Sequence, residues 1–110
     1  MIFDKEGNTT IVLQENASLA TFLTNLRSTY DKLQHDHLII NLFSFAKLSP
    51  DDVLEFLELS NTHRARKKSF VLVSNKVSFE EIPDEICLVP TLQEAKDIIE
   101  MEEIERDLDL

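Results

Sequence analysis

Apolar and polar positions alternate in blocks along the chain, and the period changes from block to block. Ile2-Phe3 and Thr9-Thr10-Ile11-Val12-Leu13 flank the polar run Asp4-Lys5-Glu6-Gly7-Asn8, which predicts a β-hairpin over residues 1–15. Gly7 is the sole glycine of the chain and falls where a tight turn needs positive φ; Asn8 tolerates the same region. Leu19, Phe22, Leu23, Leu26, Tyr30 and Leu33 then recur at helical spacing, which predicts a helix from a Ser18 cap to Leu33. The continuous run Leu38–Leu42 reads as a buried strand.

A second helix has strong start signals. Ser49 can cap it, Pro50 suits its first position, and Asp51 and Asp52 put negative charge on the positive end of its dipole. The Ser-x-x-Asp spacing approximates a capping box. Val53, Phe56, Leu57 and Ser60 continue one face, and the helix finishes in Arg64-Ala65-Arg66-Lys67-Lys68. Phe70–Val73 is a further strand, Ser78 can open a short helical turn, and Ile86–Val89 is the last strand. The final helix begins at Pro90-Thr91, with Thr91 and Glu94 at capping-box spacing and Leu92, Ala95, Ile98 and Ile99 on its apolar side.

The resulting order is β-β-α-β-α-β-(short α)-β-α, an α/β fold with a mixed sheet of about five strands and helices packed on it. Residues Leu38 to Val73 form its central βαβ unit. Open α/β sheets place their working sites beyond the carboxyl ends of the strands, which singles out the loop and first turn at Ser49, Pro50, Asp51 and Asp52.

Composition narrows the function classes. The 110 residues make one domain, 1–110, and carry a net charge of −10, which repels nucleic-acid backbones and anionic membranes. Neither is expected as a partner. One glycine cannot build a dinucleotide fingerprint or a phosphate-cradling loop, so no cofactor is expected. The first residues lack a signal-peptide layout and no apolar run approaches membrane-spanning length, so a soluble cytoplasmic protein is expected. The single cysteine, Cys87, sits inside the run Ile86–Val89 and reads as a small core residue. His35-Asp36-His37 supplies too few ligands for a zinc site, with His63 on another helix, and reads as a solvated turn before the strand.

Charge is unevenly placed. Arg64, Arg66, Lys67 and Lys68 hold 4 of the 11 basic side chains, a candidate anion or partner patch that also offsets the helix dipole. Residues 91–110 form an acidic helix or tail with eight acids against Lys96 and Arg106, which accounts for −6 of the net charge. Acids crowding the carboxyl end of a helix oppose its dipole, so this end is expected to fray, and truncation after Glu100 to leave the domain folded. The opposite patches are expected to steer a second copy, as a homodimer, or a basic protein partner into contact.

With Leu38-Ile39-Ile40-Asn41-Leu42, the helix after Ser49, Phe70-Val71-Leu72-Val73 and Val89-Pro90-Thr91-Leu92-Gln93-Glu94-Ala95, the chain resembles the STAS domain, the fold of the anti-sigma-factor antagonists. That family carries an Asp-Ser-Ser/Thr-Gly motif at the start of its second helix, where a partner kinase phosphorylates the serine and so releases the anti-sigma factor. The resemblance brings the motif onto Ser49, Pro50, Asp51 and Asp52. The acceptor position is then Pro50, which carries no hydroxyl, and the glycine position is Asp52; a slip of one residue restores Ser49 as acceptor but sets Leu48 at the motif's acid. The resemblance therefore implies a non-catalytic protein-interaction or regulatory domain whose phospho-acceptor loop is degenerate, with fixed charge on Asp51 and Asp52.

The ending Val-Pro-Thr-Leu-Gln-Glu-Ala with Ile-Ile-Glu-Met-Glu-Glu-Ile-Glu-Arg-Asp-Leu is also similar to that of small proteins often filed as ribonuclease Z. A true enzyme of that name has a metallo-β-lactamase fold with a His-x-His-x-Asp-His motif, of which only His35-Asp36-His37 gives a hint here. The label implies at most an accessory protein linked to that nuclease. A small-ligand or anion-binding version at Arg64–Lys68 is the alternative reading, and an enzyme is not expected, because no nucleophile–base pair or metal cluster can be assembled.

Overall fold

The computed structural model of the chain describes residues 1–108; Asp109 and Leu110, the end of the acidic segment, lie outside the described residues. A hairpin of β1 (Ile2–Glu6) and β2 (Thr9–Leu13) opens the chain. Gly7 has φ +61° and Asn8 does not enter the positive region, so positive φ falls at the first turn position only, as in a type II′ turn. Helix α1 (Leu19–Leu33) follows, with Ser18 accepting a hydrogen bond from the Thr21 amide. Then come β3 (His37–Asn41), α2 (Pro50–Leu54), α3 (Leu57–Ala65), β4 (Phe70–Val73), a 3₁₀ turn (Phe79–Glu81), β5 (Cys87–Val89) and α4 (Leu92–Leu108). The sheet order is β1-β2-β3-β4-β5, with β1 antiparallel to β2 and every later neighbour parallel.

That order decides which face each helix covers. Crossovers between parallel strands are right-handed, and strands added one after another in the same direction put every crossover on the same face. Val12, Leu38, Ile40, Phe70, Leu72 and Leu88 form that side of the sheet. Against them pack Phe22 and Leu26 of α1, Val53 of α2, Phe56 and Leu59. Only α4, which follows the last strand, is free to close the other face. Its Ala95 and Ile99 meet Ile11, Ile39, Val71 and Val73. The period-2 alternation of β2 to β5 thus feeds two separate cores, while β1 is exposed along its whole length.

The expected single helix after Ser49 is two. Glu55 and Phe56 form i→i+3 bonds to Asp52 and Val53, at 3.2 and 3.1 Å, and interrupt the α-helix between α2 and α3. The tighter turn suits the spacing of Val53, Phe56 and Leu59, three apart and all buried, because a 3₁₀ turn repeats every three residues. Phe56 lies with its ring 6.3 Å from that of Phe22 and is fully enclosed.

The acidic end is also corrected. Through Leu108 the chain is helical, and Glu102 and Glu103 turn inward to named partners instead of fraying into solvent. Among the described residues no helix is long and apolar enough to cross a membrane.

Candidate functional site

Two ends of the sheet carry the candidate residues, and the fold keeps them apart. At the carboxyl end of β3, Ser49 Oγ accepts from the Asp52 amide at 3.2 Å, and the Asp52 carboxylate accepts from the Ser49 amide at 2.9 Å. The capping box is complete and Pro50 opens α2, so this turn is rigid. Asp52 is committed to the cap, whereas Asp51 is exposed. Phe43, on the loop before the turn, and Leu54, at the end of α2, are large apolar side chains left 44% and 39% exposed. The loop is held from behind: Asn41 accepts from the Phe43 amide at 3.0 Å, and the Ser44 hydroxyl donates to the Gln14 carbonyl.

Arg64, Arg66, Lys67 and Lys68 lie at the opposite end, where α3 runs into the amino terminus of β4. Two of the four have partners within the molecule. Arg64 donates to Glu102 of α4 at 2.5 Å, and Arg66 reaches the Gln34 carbonyl at 3.4 Å. Lys67 takes φ +65°, the left-handed position after a helix that glycine ordinarily fills. The basic run and the acidic helix, expected to recruit a second molecule, therefore meet within one molecule through Arg64 and Glu102. A shallow cavity of about 280 Å³ beside Lys67, Lys68 and Arg106 is lined also by Glu103 and Asp107, acids unfavourable to an anion.

Around this contact the structure assembles a polar cluster that the sequence did not announce. His37 is not a solvated turn residue: it is 4% exposed, and only His35 of the His35-Asp36-His37 run is exposed. The Ser69 amide donates to His37 Nδ1 at 2.9 Å, which leaves the ring proton on Nε2 to be donated to Glu103 at 2.8 Å. Burial lowers the affinity of this ring for a second proton, an effect partly opposed by Glu103 and assisted by Arg106 and Lys68. The Ser69 hydroxyl donates to Glu102 at 2.5 Å and accepts from Arg106 at 3.2 Å. Burial alone would raise the Glu102 carboxyl, but bonds from Arg64 and Ser69 outweigh it and hold the group below its ordinary range.

The cluster continues under α1. His63 is fully buried, with Nδ1 2.7 Å from the Tyr30 hydroxyl and Nε2 2.7 Å from the Asp36 carbonyl. Burial desolvates the Tyr30 hydroxyl and raises its pKa. The Asp36 carboxylate accepts from Thr10 at 2.9 Å and pairs with Lys5 at 3.3 Å. Sequence reading missed Tyr30, Asp36, Ser69, Glu102 and Glu103 because the partners that draw them in from other elements lie 26 to 95 positions away along the chain.

Chemically this cluster is a clasp. Ser69 sends its hydroxyl to the Glu102 carboxylate and only its amide to His37, so the His37 ring does not face the serine hydroxyl. Among the described residues no three His, Cys, Asp or Glu side chains converge as metal ligands. Cys87 is half-buried against the second core, and burial raises its thiol pKa, with Glu102 adding to the effect. No family model matches the chain, and no curated protein matches it.

Proposed function

We propose that this chain is a non-catalytic protein-interaction domain of the STAS-like kind, cytoplasmic, which engages a protein partner through the surface after β3. The observation that carries the reading is the rigid turn Ser49–Asp52, which presents exposed Asp51 on a chain segment bounded by exposed Phe43 and Leu54. An apolar pair beside fixed charge supplies an anchor and an orienting group, the usual layout of a small interface. The other end of the sheet is occupied with internal hydrogen bonds. Asp51 provides permanently what a phosphorylated serine provides conditionally, so the domain is constitutively in one charge state.

The test is a paired capture from cells under crosslinking, with wild type beside a Phe43→Ser/Asp51→Lys variant of unchanged circular dichroism. The reading expects a protein held by the wild type and lost from the variant. Equal capture by both would remove the surface after β3 from consideration.

A further inference from the structure

We propose that the outward face of α4 is a second docking surface, and that its occupant is an amphipathic helix with basic flanks. The argument begins with the helix's inward side. Ala95 and Ile99 are buried against the sheet, and Glu102 and Arg106 reach Ser69, so these residues mark the packed face. At roughly 100° of rotation per residue, Met101, Ile104 and Leu108 project on the opposite side as one seam. They are 55%, 53% and 80% exposed. Isolated exposed apolar side chains are ordinary, but three in one seam form the anchor row of a helix-in-groove or helix-on-helix contact.

Charge selects the occupant. By the same rotation, Glu100 and Asp107 lie along one side of the seam, Glu94 and Glu105 along the other, and Asp97 at its amino-terminal end. All five are exposed. Both cations of α4 are engaged elsewhere: Lys96 pairs with Glu6 at 3.0 Å and Arg106 binds Ser69 and Glu102. The outward half of the helix, among the described residues, thus presents apolar side chains framed by acids, with the uncharged Gln93 bonded to Asp97 at 3.0 Å and no cation of α4. A second α4 laid on it brings acids against acids, whereas a helix with leucine-like residues on one stripe and lysine or arginine beside them complements both features. This surface is separate from the one after β3, and either can fail without the other.

A synthetic peptide of leucine and lysine at helical spacing serves as the probe, with a serine-for-leucine version as its control, read by titration calorimetry and by amide chemical shifts. The leucine–lysine peptide is expected to shift α4 amides and to bind about tenfold more weakly to a Met101→Gln/Ile104→Gln/Leu108→Gln variant. Weaker binding with a shallower salt dependence is expected for Glu100→Gln/Glu105→Gln, and no saturable binding for the serine peptide. These side chains face solvent, so unchanged circular dichroism and melting temperature verify that the variants are folded. Equal affinity for the apolar variant, no binding at all, or shifts confined to Phe43 and Leu54 would each overturn the proposal. So would a salt-resistant dimer in sedimentation velocity that the apolar variant abolishes, since the seam would then belong to a second copy.

Discussion

His63 Nε2 stands 2.7 Å from the main-chain carbonyl of Asp36, and that contact fixes the proton of a fully buried ring. A carbonyl can only accept, so Nε2 donates and Nδ1 is left to accept from the Tyr30 hydroxyl at 2.7 Å. The neutral ring thereby joins α1, α3 and the start of β3, and packs edge-on against Tyr30 and Phe70.

Acid should weaken the fold through this ring. Burial pushes His63 down from 6.5 to about 4; the Asp36 carbonyl opposes the shift, and His37, Arg66 and Lys68 reinforce it. Between those values the unfolded chain holds a proton that the folded chain refuses, so stability falls as pH falls. The loss from His63 alone approaches about 3 kcal/mol by pH 4. His37, also lowered, acts in the same direction, and Asp36 and Glu102, held below their ordinary range, extend the loss further into acid. Urea unfolding at pH 7, 5.5 and 4.5 should show the decline, with a shallower slope in His63→Gln. A flat wild-type profile would contradict it.

Tyr30→Phe removes one hydroxyl and strands His63 Nδ1 without its donor. The expected cost is about 1–2 kcal/mol, since an unpaired buried acceptor loses its water without replacement. Chemical denaturation at neutral pH measures it directly, and the tyrosine-free variant should keep its circular dichroism.

Glu102→Gln should cost about 2 kcal/mol, because it withdraws a carboxylate shared by Arg64, Ser69 and Arg106. Truncation after Glu100 removes Glu102, Glu103 and Arg106 together and should cost more than the single change, about 3 kcal/mol or more. Thermal melts of the two proteins decide the matter: a truncated chain as stable as the whole would show that the clasp contributes nothing.

Ser49→Ala should destabilise by about 1 kcal/mol, as loss of a cap. Its partner Asp52 accepts in return, so Asp52→Ala should behave alike, and the double variant should cost less than the sum. Recovery of a stoichiometric phosphate on Ser49 from cells would show that the position serves as a switch as well as a cap.

Lys67→Gly should stabilise by about 1 kcal/mol, since Lys67 holds φ +65° where a side chain is strained and glycine is not. The gain, read from the denaturation midpoint, should be indifferent to salt if it comes from the backbone. A salt-dependent change would assign it to charge.

What the sequence by itself determined is local. The caps Ser18, Ser49 and Ser78 all bond within three residues, the turn glycine Gly7 answers to its own φ, and strand and helix periods are properties of single segments. Each of these is settled by neighbours along the chain, so each could be read from it. The tertiary structure alone decided the rest. It broke the second helix at Glu55 and Phe56 to bury Phe56 against Phe22, and it sent α4 to the face that the crossovers leave open. It also turned His37, Glu102 and Glu103 from apparent surface groups into a clasp. Charged residues far apart in sequence show no periodicity that distinguishes a solvated acid from a docked one. Their partners are chosen only when the order of strands in the sheet brings Ser69, Arg64 and α4 to one end of it.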